Sequence, residues 1–211
     1  VQFDILTIFP NAFDSYFSES IIKRALEKKL ININIHDIRE FGEGKWKKVD
    51  DTPYGGGPGM LMNVEPIYKT LKKIKKKKKS KVVLFSPSGQ KFDQNITKEF
   101  VELDQIIMIC GHYEGVDARV KKFIDCEISI GDYVLTSGNI PAMVVVDSCS
   151  RLIPGVLGNE QSFKQDSLYE DFQEEYPQYT KPRKFKGMEV PSVLLSGDHG
   201  KIDAWKKKMS K

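Results

Sequence analysis

Between residues 82 and 141, three apolar runs each stop at a loop that carries glycine. Residues 82–85 lead into Ser86-Pro87-Ser88-Gly89, residues 106–110 into Gly111-His112-Tyr113-Glu114-Gly115, and residues 128–130 into Gly131-Asp132-Tyr133-Val134-Leu135. Short, β-rich apolar runs halted by glycine predict buried parallel strands. In an open α/β sheet, ligands bind in the crevice beyond the carboxyl ends of the strands. The pattern therefore predicts a small-molecule pocket built largely from backbone. The usual nucleotide signatures are missing: no G-x-G-x-x-G follows the first strand, and no G-K-[ST] occurs.

The rest of the chain extends this strand–helix alternation. Residues 2–9 predict a strand that ends at Pro10, and residues 11–17 and 20–30 predict helices. In the second helix Ile21, Ile22, Ala25 and Leu26 form an apolar stripe. Residues 31–38 alternate I-N-I-N-I-H-D-I, the pattern of a half-buried strand. Asn63 stands as an N-cap before a helix reaching about Ile74, with Pro66 in its first turn. The lysine tract at 75–79 is expected to be the solvated end of that helix, favoured there by the helix dipole. Helices are expected at 93–102, 116–123 and 141–153. Such alternation implies an α/β fold with a mostly parallel sheet flanked by helices. After Pro154 the composition turns polar, so 159–186 reads as a linker. A loop and a final helix over 201–211 follow, with Ser196 bonding nearby backbone and Trp205 anchoring the helix in a core. The expected organisation is a domain over 1–158, a linker over 159–186 and a small helical unit over 187–211.

Charge bears on partners. A net charge of +4 permits a nucleic-acid partner without demanding one. Cys110, Cys126 and Cys149 are odd in number and lack C-x-x-C spacing, which argues against a disulfide framework or a zinc site. Cys110 and Cys126 lie in or beside apolar strand runs, so buried, inert thiols are expected there. No apolar run approaches the ~18 residues of a membrane span. The first residues lack a basic, cleavable leader pattern. A cytoplasmic protein without a membrane partner is the expectation.

Candidate chemistry concentrates at the strand ends. Glycines at Gly111, Gly115 and Gly131 let main chain approach a ligand closely. Backbone groups there can read an adenine edge while Tyr113, Tyr133, Ile130, Val134 and Leu135 enclose it. His112 reads as a solvent-facing or internally satisfied histidine. The loop at Gly55, Gly56, Gly57 and Gly59 is hemmed by Pro53 and Pro58, which a pure linker would not need, so it reads as a ligand-approaching loop. Arg151 ends an apolar segment and calls for a partner or a ligand. Asp166, in the polar linker, reads from its surroundings as a surface carboxylate.

Taken in order, the motifs resemble a known family. F-D-I-L-T-I-F-P at 3–10, V-D-D-T-P-Y-G-G-G-P-G-M-L-M at 49–62, S-P-S-G at 86–89 and C-G-H-Y-E-G at 110–115 are followed by S-I-G-D-Y-V-L at 129–135. D-S-C-S-R-L-I-P-G-V-L-G at 147–158 and G-M-E-V-P-S-V-L-L-S-G at 187–197 complete the series. Together they resemble the bacterial tRNA (guanine-N1)-methyltransferases of the knotted SPOUT class. His112 stands where that family usually has Arg, Ser137-Gly138-Asn139-Ile140 replaces a G-G-E-L type, and the carboxyl-terminal unit is expected to be shortened.

The resemblance implies methyl transfer from S-adenosylmethionine to N1 of the guanosine at tRNA position 37, and a deep trefoil knot, against the general un-knotted rule. It implies cofactor contacts at Pro87, Gly89, Gly111, Tyr113, Glu114, Ile130, Gly131, Asp132, Tyr133, Val134, Leu135, Gly138 and Pro141. It makes Asp166 the general base, Arg151 the catalytic arginine, and Gly55, Gly56, Gly57 and Gly59 a platform for the target base. It also implies a homodimer with the active site at the subunit interface. Whether Mg2+ assists is left open, since no carboxylate cluster names a site. Competing readings are an RNA-binding protein that keeps the fold without catalysis, and a methyltransferase for another substrate.

Overall fold

The computed structural model describes residues 1–157 and 176–210. The chain divides into two compact units, Val1–Gly158 and Asn159–Lys211.

In the first unit, β1 (Gln2–Thr7) leads through a 3-10 turn at Pro10–Phe13 into α1 (Asp14–Phe17) and α2 (Ser20–Glu27), then β2 (Asn32–Asp37). A short ribbon, β3 (Asp50–Asp51) and β4 (Leu61–Met62), precedes α3 (Val64–Lys73). Next come β5 (Ser80–Lys91), α4 (Gln94–Val101), β6 (Gln105–Ile109), a 3-10 turn at Ala118–Phe123, β7 (Cys126–Ser129) and α5 (Asn139–Leu152). The five long strands form one sheet in the order β2-β1-β6-β5-β7, and every pairing in it is parallel.

The apolar runs are continuous because both faces of this sheet are covered. Successive side chains point to opposite faces. Ile106 and Met108 join Phe3, Ile5, Val83 and Phe85 in a core closed by α2, α4 and α5. Ile107 and Ile109 join Leu6, Val82 and Leu84 in a second core, closed by Ile67 and Leu71 of α3 and by Val120. The helices follow the same logic. α3 buries Pro66, Ile67, Thr70 and Leu71, one face at helical spacing, and Pro66 sits where its missing N–H is not needed. Asn63 is the N-cap residue as expected, but its side chain makes no cap bond. At α4 the cap is complete, with Asp93 accepting from the Ile96 amide.

The lysine tract departs from expectation. α3 ends at Lys73, so Lys72 and Lys73 occupy the last turn favoured by the dipole, and residues 75–79 form a loop. The Gln105 side chain holds that loop open, accepting from the Lys77 amide at 2.8 Å and donating to the Lys75 carbonyl at 3.3 Å. The tract therefore lies at the amino ends of β5 and β6.

One buried charge stands in the sheet. Asp4, 1% exposed, accepts hydrogen bonds from Gln2 (2.7 Å), Asn34 (3.0 Å), His36 (2.8 Å) and Gln105 (2.8 Å). Burial alone would raise its pKa, but the bonds from His36, Gln105, Gln2 and Asn34 outweigh it and lower the value to about 2. A folded-state pKa below the unfolded one contributes stability above about pH 4 that is lost as pH falls through 2. Its size is about 2 kcal/mol. Asp4→Ala, which strands four donors, is expected to lower unfolding free energy by about 3 kcal/mol. It should also flatten the acid limb between pH 4 and 2 in urea titrations followed by circular dichroism. An unchanged acid limb would remove Asp4 as its cause.

Cys110 is a buried free thiol whose pKa burial pushes up, in line with the expected inert role, and Cys149 is buried likewise; Cys126, also expected to be buried, is only half-buried at the start of β7.

The second unit is small. A ribbon of β8 (Lys184–Phe185) and β9 (Met188–Glu189) turns at Lys186 and Gly187, both with positive φ as in a tight hairpin turn. A 3-10 turn at Ser192–Leu195 and α6 (His199–Met209) follow. Asp198 caps α6 by accepting from the Lys201 amide, and Ser196 bonds nearby backbone as expected. Among the described residues, Trp205 does not anchor α6 in a buried core as expected. No residue of that helix is buried, and the indole is half-exposed beside the rings of Tyr176 and Tyr179. Among the described residues no helix is long and apolar enough to cross a membrane.

Candidate active site

The three glycine loops meet at the carboxyl ends of β5, β6 and β7. β5 does not stop at Phe85. Both Phe85 and Gln90 register with Ile128, so Ser86-Pro87-Ser88-Gly89 is looped out of the ladder as a bulge. Such bulges sit beside active sites, where they re-aim the chain. After β6, residues 111–115 turn over the sheet, with Tyr113 in the left-handed region at φ 59. After β7 the third loop comes back to meet the second: Ser137 bridges His112, and the Gly138 amide donates to the Gly111 carbonyl at 2.9 Å. At Gly138 the approach is so close that a Cβ would lie 2.7 Å from the Cys110 Cα. The chain then enters α5, whose Asn139 accepts from the buried Thr7 hydroxyl at 3.0 Å.

These loops enclose a cleft of about 190 Å³. Of the residues that the resemblance assigns to the cofactor, Pro87, Gly111, Tyr113, Glu114, Ile130, Gly131, Tyr133, Val134, Leu135, Gly138 and Pro141 line it. Gly89 and Asp132 do not. Gly89 backs onto the main chain of Glu127 and Ile128, and Asp132 turns outward to an ion pair with Lys91. Thr136 and Ser137 line the cleft and went unassigned, although their place between Leu135 and Gly138 was a signal. His112 also lines it; the residue is half-buried and its ring is not fully satisfied internally. Its ring stands edge-on to Phe9 (5.1 Å) and Tyr113 (4.7 Å), and its buried Nδ1 has no hydrogen-bond partner among the described residues. Leaving such an atom unpaired costs about 1–3 kcal/mol.

The proline-glycine loop is moored beside this cleft. The Glu114 amide donates to the Met60 carbonyl (3.1 Å), the Met62 amide to the Gly115 carbonyl (2.9 Å) and the Asp117 amide to the Met62 carbonyl (2.9 Å). Gly59, at φ +81, faces Glu114 so closely that a Cβ would meet its side chain at 2.3 Å. Gly55, Gly56 and Gly57 stand open, none with an atom nearer than 4.0 Å to such a Cβ. Arg151 is half-buried in the last turn of α5 and does not line the cleft. Asp166 lies outside the described residues. Among the described residues no group of three or more His, Cys, Asp or Glu could hold a metal ion.

The cleft lining mixes apolar side chains, among them Phe85, Ile128, Ile130 and Leu135, with glycine main chain and a few polar groups, the composition of a small-molecule site. The comparisons agree with this chemistry. The family model for tRNA (Guanine-1)-methyltransferase TrmD matches residues 1–211. A tRNA (guanine-N(1)-)-methyltransferase of Dictyoglomus turgidum is 52% identical over 208 residues, covering 99% of this chain and 84% of that protein. Proteins of the same name from Clostridium tetani and Clostridioides difficile are each 50% identical, covering 99% and 100% of this chain and 87% and 92% of their own lengths. Agreement of this extent, over a chain whose strand-end loops build such a cleft, makes the protein a member of the tRNA (guanine-1)-methyltransferase TrmD family.

Proposed function

We propose that the protein methylates N1 of guanosine in tRNA, at position 37 beside the anticodon, with S-adenosylmethionine as donor. The observation that carries the donor site is the cleft at the ends of β5, β6 and β7, where main chain from two loops converges at Gly111 and Gly138. The cofactor, when bound, supplies a methyl group already activated by its sulfonium. In this reading the 111–115 and 131–138 backbone reads the adenine edge, while Ile130, Leu135 and Pro141 wall its faces.

Guanine N1 carries a proton at neutral pH and is a poor nucleophile until that proton leaves. Asp166 is the proposed general base that takes it, freeing the N1 lone pair for attack. Charge then builds toward the guanine O6, where Arg151 is proposed to stabilise it through its planar fork. The rest of the task is alignment, and the loop at 55–59 is proposed as the platform for the extruded base. Its mooring to Glu114 and Gly115 supports that role.

We also propose a homodimer with the active site at its interface. A cleft of about 190 Å³ is smaller than the ~300–1,000 Å³ of a complete ligand pocket, so a further wall is needed. Tyr133, Val134 and Ile140 beside the cleft expose apolar surface of the kind that marks an interface. The trefoil knot belongs to the same proposal. The chain leaves edge strand β7 and must recross the ends of β5 and β6 to bring Asn139 to Thr7.

Methyl transfer to a tRNA transcript with G at position 37, and none to the same transcript with A there, is the expected result. Equal labelling of both would sink the position assigned.

A further inference from the structure

Trp46 is 84% exposed, at the tip of a tight hairpin that no part of the proposed chemistry uses. The hairpin is closed by reciprocal bonds between Glu43 and Lys48, 2.8 and 2.9 Å, and by the Lys47 amide to the Gly44 carbonyl at 3.2 Å. Lys47 is held at φ 49, a left-handed conformation that a lysine adopts only under constraint. Lys45 lies 5.7 Å over the indole face. The chain thus forfeits burial of about 150–250 Å² of aromatic surface and spends backbone strain to present that ring.

The hairpin is tied to the cleft. Its base continues into Val49, whose carbonyl accepts from the Asn63 amide at 2.8 Å, and into β3, which pairs with β4. β4 bonds in turn to Gly115 of the cleft lining. Two strand spacings plus the length of the hairpin place the indole within roughly 20 Å of Gly115, inside the span of one RNA stem-loop. The next exposed aromatic along the chain, Tyr54, is 101% exposed on the loop at 53–59.

We propose that this hairpin is an RNA contact, with Trp46 stacking on an unpaired base of the loop that carries the target guanosine and Lys45 and Lys47 holding flanking phosphates. An exposed aromatic between lysines brings together the two elements of single-stranded nucleic-acid binding, a face for base stacking and positive charge for the backbone. It offers too little apolar area for a protein partner, whose stable interfaces bury about 1,200–2,000 Å². The proposal rests on the tRNA reading and deepens it.

The full chain tests it. Trp46→Ala is expected to raise the tRNA KM about tenfold, the range of one lost stacking contact. kcat, cofactor affinity and Tm should stay as in the wild type, and Trp46→Phe should recover most of the loss. Lys45→Ala with Lys47→Ala should make the slope of log affinity against log salt shallower by about 1 to 2. With Trp205→Phe, Trp46 is the sole tryptophan, and its fluorescence should be quenched by tRNA but not by S-adenosylmethionine. An unchanged KM with no quenching would overturn the contact. So would a Trp46→Ala effect that came with lower Tm and weaker cofactor binding, since that marks a structural role. An active enzyme indifferent to Trp46→Ala sinks this contact alone, whereas a wild type that binds no tRNA sinks the tRNA reading with it.

Discussion

Asp166→Asn is expected to lower methyl transfer to tRNA about 10²- to 10⁴-fold, the usual contribution of a positioned general base. An amide is isosteric with the carboxylate but too weak a base to take the N1 proton. Cofactor affinity should be unaffected, because the cleft at the ends of β5, β6 and β7 is built from other residues. The pH profile sharpens the test. Wild-type kcat should level off once the carboxylate is ionised, whereas the variant should keep rising with pH as solvent takes over proton removal. Full activity of Asp166→Asn across pH would mean that another group, or none, serves as base.

Gly138→Ala is expected to weaken S-adenosylmethionine binding about ten- to a hundredfold. Gly138 has φ −77 and ψ 2, which any residue tolerates, so the effect is steric. The new Cβ would sit 2.7 Å from the Cys110 Cα and 3.2 Å from the Gly111 nitrogen. Both neighbours are backbone and cannot rotate away. The second and third loops must then separate, and the bond from the Gly138 amide to the Gly111 carbonyl lengthens. Overpacking of this kind costs about 1–3 kcal/mol, here drawn from the geometry of the proposed cofactor cleft. Titration calorimetry measures the loss directly. Wild-type affinity in Gly138→Ala would show that the two loops need not touch for binding.

The sheet was legible because its central strands are buried on both faces and so read as unbroken apolar runs. Polar residues inside it were harder. Asn34 and His36 fit an alternating strand with a wet face, yet both turn to Asp4, a charge buried in β1. Periodicity records which residues are polar, not whether water or a carboxylate is their partner. From sequence the 86–89 bulge reads as a strand end, because proline and glycine punctuate strands, and only the repeated register with Ile128 reveals that β5 goes on. From sequence the lysine tract reads as a helix end, because local charge suits a helix carboxyl terminus. The Gln105 side chain, distant in sequence, takes the backbone bonds that a helix would have used.

The cleft was largely legible, since eleven of the thirteen assigned cofactor residues line it. Gly89 and Asp132 fell outside for physical reasons. One serves strand packing and the other an ion pair, and both are sequence neighbours of true lining residues. Arg151, a lone arginine ending an apolar segment, carried a weak local signal, whereas the role proposed for Asp166 had none. A carboxylate in a polar segment looks the same whether it takes a proton or faces water, so only the family resemblance singled it out.

The most direct measurement is nucleoside mapping by mass spectrometry after incubating the purified protein with S-adenosylmethionine and an unmodified tRNA transcript. A single 1-methylguanosine at position 37 is the expected result. Transcript recovered without methylation despite tight binding, or methylation at another nucleotide, would contradict the assigned reaction.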